Sequence, residues 1–288
     1  MPVRPLALAV LLSAAVADDG RGQDPAAPHW ALVAPVPPPV PAVRGSAWPR
    51  NDVDRFVLAR LEANGLAPSP AADAATWLRR VTFDLTGLPP SLDQLDAFLA
   101  DARPDACERV VDALLASPAH AEEEARWWLD LARYADTHGM QRDQERALWR
   151  WRDWVIDACA ANLPYDQFVS RQLAADLDPG SGPAAVVATG FLRNNPSSDE
   201  GGLIPEEFLV RYAMDRTDHF GTAFLGLTVG CAQCHDHKSD PLPQRDYYRL
   251  LAYFASFGEA GNDGGALAPE PMVRVPRTAE AAKLTELT

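Results

Sequence analysis

The chain has 288 residues, 47% hydrophobic and 23% charged, a balance that excludes a collagen-like or wholly disordered polymer. Lys plus Arg number 26 against 40 Asp plus Glu, for a formal charge of −14, and so acidic a chain repels phosphate backbones; nucleic acid is not an expected partner. Four cysteines in a chain of this length exclude a disulfide-framework miniprotein.

Residues 1–17 read as a secretory signal peptide. Arg4 supplies the positive start, residues 6–16 form an apolar run broken by Ser13, and Ala15-Val16-Ala17 is a small-residue cleavage site. The run is too short to span a bilayer. The mature chain is therefore expected to be exported, periplasmic or at the cell surface, with no transmembrane span. Residues 18–49 form a Pro-rich linker: eight prolines fall between positions 25 and 49, and such a stretch is extended. His29 and Trp30 lie inside it, and a lone Trp there is expected to dock on the body of the protein.

Residues 50–260 are expected to be mainly α, an irregular multi-helix single domain. Asn51 or Asp52 caps a first helix with Val53, Phe56, Val57 and Leu61 on one face, stopped at Asn64-Gly65. Asp73 opens a second, with Trp77, Leu78 and Val81 inward, broken by the run from Asp84 to Pro90. Ser91 and Gln94 form a capping box ahead of Leu92, Leu95, Phe98 and Leu99. Pro104 starts a helix in which Cys107, Val110, Val111 and Leu114 keep helical spacing. Further helices are predicted from about Ala121 (Ala125, Trp128, Leu129, Ala132), from about Arg146 (Leu148, Trp151, Val155, Cys159) and around Phe168, Val169 and Leu173. Pro205 at the first helical position opens a long helix through Phe208, Tyr212 and Phe220. Pro243 opens the last, with Tyr247, Leu250, Leu251 and Phe254. Val273 and Val275 signal a short strand. Residues 261–288, rich in Gly and Pro, read as a linker or the start of a missing C-terminal domain.

The chemistry concentrates in Cys231-Ala232-Gln233-Cys234-His235-Asp236-His237-Lys238-Ser239-Asp240-Pro241. Cys-x-x-Cys-His is the c-type haem attachment pattern. Two thiols at this spacing can add to the two vinyl groups of one porphyrin, and the adjacent histidine can then bind the iron. This composition would give the pattern by chance about 0.001 times. Export agrees with it independently. The expected cofactor is thus covalent haem c on Cys231 and Cys234, with His235 as the proximal ligand.

Two other readings stay open. Zinc or another transition metal would use Cys231, Cys234 and His235 or His237, but such sites normally want a second ligand pair roughly 12 to 20 residues away. No such pair follows, and His219 upstream is single. A disulfide or redox dithiol would leave His235 and His237 unexplained, and a dithiol prefers a helix N-terminus. His237 is too close along the chain to be the sixth ligand, since two residues reach only about 7 Å. It and Asp236 and Asp240 are candidates to orient the ligand. Candidate sixth ligands are His138, His219, Met140 and Met214, and for His219 a plain helix histidine is the bland alternative. A filled sixth position favours electron transfer, an open one catalysis at iron.

Other polar groups carry less. Cys107 and Cys159 read as small buried hydrophobes that could pair. Asp130, Arg133 and Asp136 recur at i, i+3, i+6, and Glu200, Glu206, Glu207, Asp215 and Arg216 surround the long helix. These read as caps and solvated faces rather than acid/base machinery. There is no Gly-x-Ser-x-Gly, P-loop or dinucleotide fingerprint.

Several stretches in order resemble one family. They are His29-Trp30 before the linker, Trp48-Pro49-Arg50-Asn51, Arg79-Arg80-Val81-Thr82-Phe83-Asp84-Leu85-Thr86-Gly87-Leu88-Pro89-Pro90, and Trp128-Leu129-Asp130-Leu131-Ala132-Arg133-Tyr134-Ala135-Asp136. Trp151-Arg152-Asp153-Trp154-Val155, Asp199-Glu200-Gly201-Gly202 and Leu225-Gly226-Leu227-Thr228-Val229-Gly230-Cys231 through Pro241 follow. Together they resemble the planctomycete cytochrome-type domain of unknown function, from about residue 29 to the C-terminus. The resemblance implies an exported, haem-bearing protein and supplies no substrate. The resemblance implies a cytochrome-like module ahead of this domain, which is not expected in this chain, and a second domain expected to begin about where this chain stops. The expected role is electron transfer to a periplasmic redox partner or fused domain. The alternatives are a haem- or metal-dependent enzyme acting on extracellular organic matter such as polysaccharide, with Asp136, Glu200 or Asp240 beside an open site, and a module whose metal or disulfide is structural.

Overall fold

The computed structural model describes residues 33–45, 47–140, 142–178, 180, 182–273 and 275. The expected signal peptide, the His29-Trp30 dipeptide and the end of the C-terminal linker lie outside the described residues. The expected mainly α fold is present: among the described residues the regular structure is helical, with no strand. Val273 is exposed and starts no strand; Thr137 and Glu145 form one isolated antiparallel bridge. Among the described residues no helix is long and apolar enough to cross a membrane.

The chain divides into two compact units, Met1–Ser69 and Pro70–Thr288. In the first, α1 (Asp52–Ala63) starts where the Asn51 side chain accepts the Asp54 N–H at 2.9 Å. It ends at Gly65, whose φ of 67° closes a bond from Leu66 N–H to the Leu61 carbonyl. The end of the Pro-rich stretch is clasped by α1: Arg44 and Gly45 N–H groups donate to Glu62 at 3.0 Å. Those bonds hold the Glu62 carboxyl below its ordinary range.

The second unit begins with α2 (Ala74–Thr86), α3 (Leu92–Ala100) and α4 (Ala106–Leu115). Asp73 caps α2, and the Ser91/Gln94 capping box forms as expected. Trp77 stacks on Phe98 at 5.2 Å. Cys107 is exposed, contrary to its expected place on the apolar face. The side of α4 that turns inward carries Ala106, Val110 and Leu114 at i, i+4, i+8, and Cys107 lies one step off it.

The main core forms where α5 (Pro118–Leu131) packs on α6 (Trp149–Ala160) and both meet α7 (Tyr165–Ala174). Ala125, Ala132, Trp151 and Val155 are buried there, and Trp154 stacks on Phe168 at 5.5 Å. The Trp128 indole N–H donates to the buried Gln172 at 2.9 Å. After α8 (Pro183–Val186), a 3-10 run, Val187–Arg193, buries Ala188, Phe191 and Leu192. Its Gly190 lies flat on Trp151: a Cβ there would stand 2.7 Å from the Trp151 Cβ. Next come α9 (Pro205–Phe220), a π turn (Gly221–Leu225), a 3-10 turn (Val229–Gln233) and α10 (Gln244–Leu251).

Arg216 departs from the solvated face expected of it. It is 3% exposed; its guanidinium pairs with both oxygens of Glu259 and donates to the Leu192 carbonyl and Asn195. The reason lies in α9 itself, where Phe208, Tyr212 and Arg216 fall on one face at four-residue steps.

Candidate functional site

The Cys-x-x-Cys-His segment is built between α9 and α10. Gly226, at φ 63°, turns the chain back after the π turn, and Leu227 N–H bonds the Gly221 carbonyl at 3.0 Å. The 3-10 turn that follows has three residues per turn, so i and i+3 share a side. Val229 and Ala232 face inward, buried with Tyr247. Cys231 lies within the turn and Cys234 caps its end, and both are exposed with free thiols. Both thiols are thus exposed on a turn that Val229 and Ala232 anchor.

His235 is exposed, with Nδ1 2.6 Å from the Asp236 carbonyl oxygen. A ring nitrogen facing a carbonyl must donate, which leaves the lone pair on Nε2. His237 is the reverse case. Its side chain is 9% exposed, and Nδ1 accepts the backbone N–H groups of Ser239 (3.2 Å) and Asp240 (2.8 Å). With its lone pair so engaged, Nδ1 has no proton to share with the Asp240 carboxylate 3.3 Å away, and that proximity is not an ion pair. The Nε2 proton points toward Thr228 Oγ1 at 3.4 Å. His237 therefore organises the loop, which His237 N–H closes on the Leu242 carbonyl at 2.9 Å. Asp236 serves the backbone as well: its carboxylate accepts Gln244 N–H at 2.8 Å, at the start of α10, where Pro243 has no side-chain cap to offer.

Residues that the pattern did not single out tie the motif to its neighbours. Gln233, inside the Cys-x-x-Cys, donates to Met214 Sδ at 2.9 Å, and its carbonyl accepts Gln244 Nε2 and Tyr248 OH, each at 3.0 Å. Gly230 lies against Asp218, whose Oδ2 would be 2.7 Å from an added Cβ. Burial pushes the Asp218 carboxyl above its ordinary range. Its neighbour Tyr247 is likewise raised, by burial and then by the Asp218 charge, although the two are not aligned for a hydrogen bond. A glycine before the first cysteine was the available signal for this close approach.

Of the candidate sixth ligands, Met214 is the one hydrogen-bonded to the motif. His138 is 4% exposed, with Nδ1 2.5 Å from Ser197 Oγ and Nε2 3.0 Å from the Ala266 carbonyl. His219 stacks on Phe191 at 4.8 Å, and burial pushes its pKa down to about 4. Met140 sits in a turn in which its carbonyl accepts Asp143 N–H. Asp136 takes the Tyr134 phenol at 2.5 Å, and Glu200 is exposed. Cys159 is half-buried, its thiol raised by burial.

The donor set fits a covalently held haem: two free, exposed thiols three residues apart, and an imidazole with Nδ1 anchored and Nε2 open. Such an anchoring bond fixes ring orientation in metal-ligating histidines. Among the described residues no three His, Cys, Asp or Glu side chains converge on a preformed metal cage. A family model described as PSCyt2, a protein of unknown function (DUF1549), matches residues 52–259. No curated protein and no solved structure matches the chain.

Proposed function

The chain belongs to the PSCyt2 family of proteins of unknown function, and from that premise we propose that it is an exported electron-transfer protein with haem c attached through Cys231 and Cys234. The observation that carries this reading is the exposure of both free thiols and of the open His235 Nε2 along the one segment from Cys231 to His235. Cys231 and Cys234 would hold the porphyrin, and His235 would bind the iron. Bound haem supplies a one-electron couple. Asp236, through its carbonyl, keeps the His235 proton on Nδ1, while His237 and the Asp236 carboxylate hold the loop and α10 in register. Met214, held by Gln233, would be the sixth ligand, and a filled sixth position would suit electron transfer over catalysis at an open iron. The acidic surface suits a cationic periplasmic redox partner.

The test is a pyridine haemochrome spectrum of protein exported in a host with cytochrome c maturation. A thioether-type α-band that survives acid–acetone extraction and disappears in Cys231→Ala is expected. A colourless protein from that host overturns the reading, and metal analysis then separates a zinc site from a disulfide.

A further inference from the structure

A cavity of 230 Å³ lies within the Pro70–Thr288 unit, lined by Arg146, Trp151 and Arg193 and, among its apolar residues, by Val187 and Met272. Three of its lining residues bring a buried N–H that no atom of the described residues accepts: Arg146 Nε, Trp151 Nε1 and Arg193 Nη1. Arg146 is 6% exposed and Trp151 2%. Buried donors without acceptors are rare in native folds, and each points to a missing partner.

The carboxylates near the cavity are already engaged. Glu259 pairs with Arg216 through both oxygens. Asp263 accepts Ser197 Oγ at 2.8 Å and Gly265 N–H at 2.9 Å. Glu270 accepts Met272 N–H at 2.9 Å. Arg146 and Arg193 have backbone acceptors for one nitrogen each, Asn195 for Arg146 and Pro269 and Glu270 for Arg193. Among the described residues neither pairs with a carboxylate. Burial lowers both guanidinium pKa values, and each also feels a neighbouring arginine; Arg146 comes down to about 10 and stays charged at neutral pH. The lining holds three arginines, Arg146, Arg150 and Arg193, and three carboxylates, of which Glu259 is neutralised by Arg216 and Asp263 and Glu270 keep their charge, so the cavity offers one net positive charge, orphan donors and an apolar wall. Its complement accepts hydrogen bonds, carries negative charge and has an apolar body.

We propose that this cavity binds a small organic carboxylate, its oxygens between Arg146 and Arg193 and its body against Val187 and Met272. The site is independent of the haem reading, since it uses no residue of the motif. Calorimetric titration of the mature chain with sodium benzoate and sodium sulfate, in chloride-free buffer, tests it. Benzoate is expected to bind saturably, about tenfold tighter than sulfate, and about tenfold weaker in Arg193→Gln, whose fold a thermal melt checks. Crystals of the unaltered chain soaked in 4-iodobenzoate are expected to show anomalous iodine density inside the cavity, a result that does not depend on any variant folding. No saturable binding of benzoate, binding unchanged by Arg193→Gln, or iodine density only elsewhere overturns the site. Equal affinity for sulfate and benzoate overturns the organic part of the assignment.

Discussion

His138 is held in the interior with both ring nitrogens engaged, by Ser197 and by the Ala266 carbonyl. His235, exposed beside the 3-10 turn, bonds one nitrogen to its neighbour's carbonyl and leaves the other open. The contrast extends to whole regions. Around α9 a closed polar network joins Arg216, Glu259 and Asn195, each nearly desolvated, and beside it the buried Tyr212 hydroxyl accepts Ser198 N–H and donates to the Gly261 carbonyl. Around the cysteines a short turn is held by backbone bonds and three buried apolar residues, and its reactive atoms face out. Residue type alone does not distinguish the two regions. What does is whether the backbone around each side chain consumes its polar atoms or leaves them free.

The largest expected effect comes from breaking the interior half. Arg216→Ala removes a guanidinium that is 3% exposed and leaves Glu259 buried and uncompensated. A loss of about 3–5 kcal/mol is expected, measured by urea unfolding. The thiols of the motif should keep their reactivity toward a maleimide in whatever fraction remains folded. A loss below about 1 kcal/mol would place Arg216 with surface pairs and remove the contrast.

Acid should find the same region next. Burial lowers His219 to about 4 from its ordinary 6.5, so between those values the unfolded chain binds more protons than the folded one. Stability therefore rises with pH across that window and is lost as pH falls from 6.5 toward 4, by about 3 kcal/mol for this group. Asp218 works in the opposite sense, because its raised pKa weakens the fold as it ionises. The contribution of His219 is consequently read as the difference between the parent and His219→Phe, which keeps the stack on Phe191. The stability lost between pH 7 and pH 4.5 should be smaller in the variant than in the parent. An unchanged slope would show that His219 is solvated in the folded protein.

Much of the fold was legible because the local signals were strong. Pro205 at N1, the Ser91/Gln94 box and the Asn64-Gly65 stop each correspond to a helix boundary in place. The 3-10 run at Val187–Arg193 was not, since a short helix with three residues per turn leaves no 3.6-residue period to read. In the candidate site the cysteine spacing was legible. The roles of Asp236 and His237 were not, because both bond backbone N–H groups that sequence cannot place. The buried Arg216 carried a signal in its four-residue steps from Phe208 and Tyr212, which its charge obscured.

Adding one methyl group compares the packing of the two regions directly. In Gly190→Ala the new Cβ meets Trp151 atoms at 2.7 Å, in a core where neither element can withdraw. A loss of about 1–3 kcal/mol is expected in thermal or urea unfolding. In Gly230→Ala the neighbour is the Asp218 carboxylate, which can rotate, so the loss should be smaller. The reverse order would mean that the motif is the more tightly packed of the two.

The smallest expected effect bears on what the acid beside the histidine does. Asp236 stands where a residue tuning the His235 imidazole is expected, yet its carboxylate accepts the Gln244 N–H at the start of α10 while only its carbonyl meets the ring. Asp236→Ala removes the acceptor and should destabilise the protein by about 1 kcal/mol, as loss of a helix cap does. Asp236→Asn keeps an oxygen in the same place and should recover most of that loss, because a cap needs an acceptor more than a charge. The backbone carbonyl survives in both variants, so the orientation of His235 should too. If haem is attached, its α-band position should then be the same in parent, Ala and Asn forms while the unfolding midpoint moves in the Ala form alone. A shifted band with an unmoved midpoint would assign the carboxylate to the imidazole rather than to the helix, and the exposed region would then tune its ligand with a charge instead of a backbone oxygen.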